Sequence, residues 1–213
     1  MQIGELEAIW RYPTKSLRGE SLSEVSIDSG GIPGDRAASL IVTAGHARLE
    51  KPYRGKEHDR LHLSESTDVA VALARAVGVA LEPRVHAQGH DFDDAPLSLI
   101  VDRWLNGVSA QVGYAVEYTR FRPNLFARAA PHFCDDETAL IGSTISIADV
   151  LLRVVKPITR CVTITYDPHG GRSDAAILRF LARERAAVLG VYCEVLRAGA
   201  VRIGAAVETF DER

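Results

Sequence analysis

Short strand-like segments, each ended by a glycine or proline turn, recur along the chain and constrain its fold more than any other feature. They are rich in β-branched and aromatic residues, which suit a pleated, half-buried sheet. The predicted strands are 5–12, 21–28, 37–43, 112–121, 145–155, 162–166, 191–196 and 200–207, the last two forming a hairpin around Gly199. Helical periodicity is limited to 68–77, 97–105 and 174–188. This pattern excludes a doubly wound α/β sheet and predicts a β-rich α+β fold, a β-barrel with peripheral helices.

The composition changes at residues 88–95, which are polar and turn-rich. We place a domain boundary there, giving an N-terminal β-barrel-like region over 1–88 and a second domain over 89–213. The alternative is a loop within one compact unit, since no long Gly/Ser or Pro-rich linker separates the halves.

Charge and cysteine content exclude several functions. The chain has 25 Lys+Arg against 28 Asp+Glu, a net charge of -3, so no overall basic field favours a nucleic acid. No apolar run is long enough to span a membrane, and the first residues lack a signal-peptide pattern. We therefore expect a cytoplasmic protein with no nucleic acid or membrane partner. Three cysteines allow neither a disulfide framework nor a four-thiolate iron–sulfur cluster.

The cysteine at position 161 is the most informative chemical group in the sequence. It follows Arg160 directly, lies five residues after Lys156, and precedes a predicted strand at 162–166. Nearby cations favour the thiolate, which is both the nucleophilic and the metal-binding form of cysteine. A small buried core residue is the alternative, and it is the commonest fate of a free cysteine.

Three further segments carry groups that could bind an anion. Arg120 and Arg122 would share one face of a strand, and an arginine fork matches phosphate oxygens. Lys15 and Ser16 follow a predicted strand on a turn, and Arg36 ends a glycine-rich turn. Each signal alone equally fits a solvated surface. None of these segments has the Gly-Lys-Ser/Thr ending of a phosphate-binding P-loop.

Taken together, these segments resemble the MOSC family, named for the C-terminal domain of molybdenum cofactor sulfurase. Residues 12–19 and 34–36 look like the family's N-terminal β-barrel region. Residues 94–96, the Arg-Phe-Arg-Pro-Asn motif at 120–124 and the Arg-Cys to Asp-Pro stretch at 160–168 look like the MOSC domain. The order of the last two motifs is the most specific part of the resemblance.

The resemblance implies a molybdenum cofactor, with no iron–sulfur cluster in this chain and no pyridoxal phosphate. Cys161 would be the metal ligand and the catalytic thiolate. The implied cofactor-binding residues are Lys15, Ser16 and Arg36 at the phosphate and pterin end, and Arg122, Asn124, Thr159 and Arg160 along the rest of the pterin.

The activity that the resemblance implies is reduction of the N–O bond of a small N-hydroxylated substrate. The chain lacks a fused ferredoxin-like domain, so electrons would come from a separate partner, an iron–sulfur or haem protein with its reductase. Two other functions remain open. One is a carrier of cofactor or sulfur that holds a persulfide on Cys161, and the other is a module that binds an anion without turnover.

Other polar residues have simpler interpretations. Asp167 is expected to cap a turn, because Asp readily bonds to its own backbone. The pairs His58/His62 and His86/His90 have helical spacing but lack the accompanying Glu of a zinc motif. Cys134 and Cys193 are expected to be structural.

Overall fold

The computed structural model describes residues 1–86 and 91–210. The predicted boundary between 88 and 89 lies outside the described residues, so the division into two domains stays a prediction. The strands are β1 (Gln2–Arg11), β2 (Glu20–Leu22), β3 (Glu24–Ile27), β4 (Ala38–Ala44), β5 (Ala80–Val85), β6 (Leu97–Val101), β7 (Leu125–Ala129), β8 (Thr144–Ile147), β9 (Val150–Thr159), β10 (Val188–Arg197), β11 (Gly199–Arg202) and β12 (Ala206–Phe210). The α-helices are α1 (Thr67–Ala76), α2 (Asp102–Val112) and α3 (Ala175–Glu184), and short 3-10 turns lie at Gly55–Glu57, Leu61–Leu63, Tyr118–Phe121 and Val162–Thr165.

A closed β-barrel dominates the part of the chain that the structure describes. Its strands follow the order β12-β8-β9-β10-β6-β7-β1, and β1 pairs back onto β12. The neighbours are antiparallel except β6 and β7, which run parallel with Leu99 opposite Leu125. The predicted β-barrel with peripheral helices is confirmed. In the closed barrel every strand pairs with a neighbour on both sides, so the exposed edges of an open sheet are absent.

A second, smaller hydrophobic cluster lies beside the barrel and belongs to the N-terminal region. It is built by the two-stranded sheet β4–β5, helix α1, the loops that join them and Leu17 from the turn after β1. Its buried members are Leu17, Leu40, Val42, Tyr53, Leu61, Ala70, Ala74, Val79 and Leu81. The N-terminal region thus contributes β1 to the barrel and a small packed unit outside it.

The predicted helix over 97–105 is wrong in its first half. All five residues of β6 are buried, as expected for a strand covered on both faces. A short, wholly apolar run fits a buried strand as well as a helix, which explains the error. Helix α2 starts at Asp102, whose Oδ1 accepts the N–H of Ala129 on β7 at 2.8 Å.

Three predicted strand features near the site and the C-terminus are also wrong. The strand at 112–121 is instead the end of α2, a left-handed Gly113 and a 3-10 turn, while 162–166 forms another 3-10 turn. The hairpin around Gly199 does not form, because β11 pairs with β3. Among the described residues, no helix combines the length and apolar character needed to cross a membrane.

Candidate functional site

Tyr12 lies directly after β1, and the guanidinium groups of two predicted binding residues, Arg36 and Arg122, stack on its ring. We call this ring the platform. The ring is buried and lies 4.2 Å from the guanidinium carbon of Arg122 and 4.9 Å from that of Arg36. Burial raises the pKa of the phenol to about 12, although both arginines oppose the shift. A neutral aromatic face attracts cations, so the ring holds the two guanidinium groups side by side. A Cβ on Gly19 would lie 2.5 Å from this ring, so the glycine leaves space for it.

Arg36 is held at the platform by the chain around it. Its N–H donates to the carbonyl of Tyr12 at 2.7 Å, and its Nη1 donates to Oδ2 of the neighbouring Asp35. Asp35 is fully buried, and its Oδ1 accepts the N–H of Tyr12 at 2.7 Å. The buried carboxylate therefore fixes both the arginine and the end of β1.

Arg122 places a second cation next to the first. Its Nη2 donates to the carbonyl of Leu17 at 2.6 Å. Burial lowers the pKa of Arg122 to about 10, with Tyr12 opposing and the charge of Arg36 adding to the shift. The group is still a cation at neutral pH. Two like charges held together in partial burial favour an anion between or above them.

Lys15 brings a third cation to the cluster. Its Nζ lies 2.9 Å from Oδ1 of Asp93 and donates to the carbonyl of Asp91 at 2.8 Å. Desolvation acts to raise the pKa of Asp93, but Lys15, followed by Arg36 and Arg122, lowers it overall. All three cations thus act on one carboxylate. Ser16 follows Lys15 on the turn, and its Oγ accepts the N–H of Gly55 at 3.2 Å.

Three candidate binding residues have unusual backbone geometry. Ser16, Arg36 and Arg122 adopt left-handed conformations, with φ of 70°, 50° and 53°. Non-glycine residues seldom adopt positive φ, because the Cβ atom then crowds the backbone. Such strain persists only where the surrounding structure fixes it, and it clusters at binding sites. Glu50, Ala148, Ala186 and Ala187 also have positive φ, so this geometry describes how the three turns are shaped and does not mark a site by itself.

Asn124 lies beneath the cations rather than at the surface. It is buried, and its Oδ1 accepts the N–H of Ser98 at 3.2 Å and its hydroxyl at 2.9 Å. Its Nδ2 donates to the carbonyl of Trp10 at 3.3 Å, while Nη1 of Arg36 lies 3.4 Å from Oδ1. In this geometry Asn124 ties β1 to β6 and supports Arg36 from below.

Cys161 lies just after the end of β9, not at the start of a strand, and its side chain is exposed. Its Sγ is 3.3 Å from Oγ1 of Thr163. The alternative interpretation of Cys161 as a buried core residue is wrong. The other two cysteines differ: Cys134 is exposed, whereas Cys193 is fully buried and burial raises its pKa to about 12.

Arg160 points its guanidinium into the protein. Nε donates to the carbonyl of Leu189 at 2.7 Å and Nη1 to that of Phe121 at 2.9 Å. Nη2 is buried and has no hydrogen-bond partner among the described residues. Burial lowers the pKa of Arg160 to about 10. Thr159, the last residue of β9, is exposed and pairs with Val188.

Tyr192 on β10 is influenced electrostatically by charged residues from two parts of the candidate site. Burial raises the pKa of Tyr192 first, and Asp93 raises it further, while Arg160 and then Arg36 act to lower it. Charges from both groups of residues thus act on one phenol. Printed contacts join Arg36 and Arg122 on the Tyr12 ring, and Arg160 reaches the residue before Arg122 through the carbonyl of Phe121. Cys161 and Thr159 are exposed at the end of β9.

Arg120 is separated from Arg122, contrary to the prediction that they share a strand face. The segment is a 3-10 turn, so the two side chains diverge. Nη1 of Arg120 donates to the carbonyl of Tyr166 at 2.6 Å, and Nη2 to Oδ2 of Asp167 at 3.3 Å. Asp167 also accepts the N–H of His169 at 2.8 Å, which confirms its turn-capping role. Arg120 therefore fixes the segment that follows Cys161.

The histidines form no metal cluster in the described part of the chain. No group of three or more His, Cys, Asp or Glu side chains is placed there to hold a metal ion. His90 lies outside the described residues. Nε2 of His86 contacts both Oγ of Ser39 at 3.2 Å and Oδ2 of Asp91 at 3.0 Å. Because one nitrogen makes both contacts, this trio lacks the relay geometry of a catalytic triad.

Sequence reasoning missed two residues that organise the site, Tyr12 and Asp93. The signal for Tyr12 was its position between β1 and the Lys15 turn, next to a proline that ends the strand. Asp93 belongs to an acidic segment that was interpreted only as a turn. Neither residue type identifies its partner, because both contacts join segments distant in sequence.

The fold and site define a class: a closed β-barrel with an exposed thiol directly after an inward-pointing arginine, and with two further arginines stacked on one buried tyrosine. The MOSC domain model matches residues 83–208, more than half of the chain. The protein therefore belongs to the MOSC domain family, and the resemblance found in the sequence is confirmed.

Solved structures support the same fold. The YUAD protein from Bacillus subtilis is similar with a TM-score of 0.59 and 18% identity, over 99% of this chain and 97% of that one. A crystal structure described as a hypothetical protein gives a TM-score of 0.52 and 14% identity, over 99% of this chain and 69% of that one. At these identities the likeness shows the fold alone. No curated protein matches the sequence.

Proposed function

We propose that the protein binds molybdenum cofactor through Cys161 and reduces small N-hydroxylated compounds. One observation carries the proposal. The exposed thiol of Cys161 follows an inward-pointing Arg160, whose Nη1 donates to the carbonyl of Phe121 at 2.9 Å, directly before the Arg122 that stacks on Tyr12. A soft ligand beside a set of anion donors is what a phosphorylated, sulfur-bound metal cofactor requires.

The residues present fit that group. Lys15 is paired with the carboxylate of Asp93, so the position that a phosphate would take already accepts an anion. The unpartnered Nη2 of Arg160 is a buried donor that still lacks an acceptor.

Each part of the site has a distinct task in this proposal. Lys15, Arg36 and Arg122 bind the phosphate and the adjoining pterin, while Thr159 and Arg160 contact the remaining pterin. Cys161 ligates the metal, and its exposure leaves the metal accessible to a small substrate. When bound, the cofactor supplies two-electron redox chemistry. Asn124 and Ser16 maintain the geometry through the contacts described above.

The proposed reaction requires a source of electrons. Reduction of a hydroxylamine to an amine breaks the N–O bond, consumes two electrons and two protons, and releases water. No dinucleotide fingerprint follows any strand, so a separate iron–sulfur or haem protein with its reductase would supply the electrons. Transient electron-transfer contacts are small, and the exposed rim around Cys161 is accessible to such a partner.

The test combines composition with turnover. Freshly purified protein is analysed for molybdenum and pterin, then assayed on a hydroxylamine with reduced viologen and, separately, with NADH alone. We expect near-stoichiometric metal, turnover with viologen and none with NADH. NADH should support turnover only after the electron carrier and reductase are added. Molybdenum-loaded protein that is inactive with viologen would contradict the reductase proposal.

The exposure of Cys161 favours a second candidate, the carrier of cofactor or sulfur. An exposed thiol can reach an acceptor protein, as persulfide delivery requires. Cyanide-labile sulfur on Cys161 in protein without molybdenum would support the carrier. Absence of both molybdenum and labile sulfur would leave the anion-binding module.

A further inference from the structure

The segment 186–190, called here the 186–190 turn, runs from the end of the α3–β10 loop through the first three residues of β10 and lies against Arg160. Ala186 and Ala187 are consecutive left-handed residues with φ of 48° and 61°, and Gly190 follows with φ of 87°. Two adjacent alanines adopt this conformation only where their surroundings hold them there. The pairing of β9 with β10 is also irregular here, since its register shifts between Val188 and Val191.

This turn sets the position of Arg160. The N–H of Arg160 donates to the carbonyl of Ala187 at 2.8 Å, and its Nε donates to the carbonyl of Leu189 at 2.7 Å. A Cβ on Gly190 would lie 3.1 Å from Nη2, so the guanidinium packs directly against this backbone. Any movement of the turn would therefore move the residue that precedes Cys161.

Glu137 holds the turn at both ends. Its side chain is only 3% exposed, its Oε1 accepts the N–H of Gly190 at 3.0 Å, and its Oε2 accepts Nη2 of Arg185. Arg185 is fixed in turn, because its Nη1 donates to the carbonyl of Trp104 at 3.1 Å. One carboxylate thus connects the residue before the two alanines with the glycine after them.

We propose that Glu137 is a positioning residue, whose bonds to Arg185 and Gly190 fix the 186–190 turn and thereby the Arg160–Cys161 corner. The importance of that corner rests on the proposed function, in which Cys161 is the metal ligand. A buried ion pair is weak support for stability by itself, since desolvation offsets much of the attraction. The bonds to the two ends of a strained turn give Glu137 a specific task.

The experiment uses the cofactor-free protein with Cys134→Ser, which leaves Cys161 as the exposed thiol. Two rates are measured: hydrogen exchange of the Arg160 Nε–H by NMR, and alkylation of Cys161 by iodoacetamide. Glu137→Gln removes the charge. Arg185→Lys is the milder variant, since it keeps the charge but loses the forked geometry. Ile147→Ala, a core truncation paired with Val150 at the far end of β9, controls for a general loss of stability.

We expect Glu137→Gln to accelerate Arg160 exchange about ten- to hundredfold, as for loss of one charged hydrogen bond. Arg185→Lys should give a smaller effect in the same direction, and it decides the matter if Glu137→Gln does not fold. The rate of Cys161 alkylation should change in the same variants in which the rate of Arg160 exchange changes. Both rates should stay unchanged in Ile147→Ala. Unchanged rates, or equal changes in the control, would overturn the proposal. Neither rate depends on molybdenum, so a failure of the proposed function would leave this result standing.

Discussion

The ammonium group of Lys15 lies 2.9 Å from the carboxylate of Asp93. The lysine side chain is 16% exposed and the aspartate side chain 70% exposed, so the carboxylate approaches the cation from the solvent side. An incoming phosphate would approach from the same direction. Asp93 therefore competes for the cation that the proposed function assigns to the cofactor.

Removing that competitor should strengthen anion binding. We predict that Asp93→Asn raises the affinity of the cofactor-free protein for inorganic phosphate by about 1.4- to fivefold, since exposed ion pairs are worth about 0.2–1 kcal/mol. Isothermal titration calorimetry measures the affinity. Asp94→Asn is the matched control, because Asp94 pairs with Lys156 at 2.9 Å. Equal affinities for the two variants would remove Asp93 from the site.

Removal of Lys15 or Arg36 should weaken cofactor binding in both cases but lower the thermal stability of the protein in only one. We predict that Lys15→Ala and Arg36→Ala each reduce cofactor retention about ten- to hundredfold, in a salt-dependent manner, because each removes a charged hydrogen bond. Only Arg36→Ala should also lower the melting temperature, since it removes a partner of the fully buried Asp35. Metal analysis and thermal unfolding measure the two effects. Full occupancy in both variants would contradict the assignment.

The cysteine assignment gives a sharper contrast. We predict that Cys161→Ala abolishes molybdenum retention while changing the free energy of unfolding by less than about 0.5 kcal/mol, as for an exposed side chain. Cys134→Ala, also exposed, should keep the metal. Cys193 is unsuitable as a control because it is fully buried in the core. Retained metal in Cys161→Ala would mean that another group is the ligand.

Gly19 leaves space for the ring of Tyr12, and substitution of this glycine tests whether that space is needed. We predict that Gly19→Ala lowers stability by about 1–3 kcal/mol through overpacking and weakens phosphate binding, because the new methyl group would push against Tyr12. Gly107→Ala is the control. Its Cβ meets nothing within 4 Å inside α2, so stability should rise by about 0.5–1 kcal/mol. Denaturant unfolding of both variants gives the comparison.

The pH dependence of stability should carry a contribution from His62. Burial lowers the pKa of His62, although its Nε2 donates to the carbonyl of Asp167 at 2.8 Å. The folded state then binds a proton less readily than the unfolded chain, so stability falls as pH drops below about 6.5. We predict that His62→Gln reduces the loss of melting temperature between about pH 7.5 and 5.5. His46→Gln is the control, since its side chain is exposed, and equal slopes in all three proteins would contradict the assignment to His62.

The barrel and its family could be predicted from the sequence because strand patterning and two ordered motifs are local signals. Asp167 was identified as a turn cap for the same reason, since its partner His169 is two residues away. The apolar run 97–101 was misassigned because burial on both faces of a strand erases the alternation that distinguishes it from a helix.

The interior of the site could not be predicted because it depends on contacts between distant segments. Asn124 was expected to contact a cofactor, yet its amide is occupied by Ser98 and Trp10. Arg120 and Arg122 were paired by spacing, but a left-handed Arg122 at the end of a 3-10 turn sends them to different partners. Periodicity cannot anticipate such backbone geometry.

The pairing of β1 with β12 also bears on how the protein is made. Glu5 lies opposite Ala206 in this antiparallel pair, so two strands that are neighbours in the barrel are separated in sequence by nearly the whole chain. During synthesis β12 is made long after β1, so the part of β1 that pairs with it, residues 2–5, lacks that partner until then, while Ile9–Arg11 can already pair with β2. Contacts of such high contact order form slowly, so ring closure is expected to limit the folding rate.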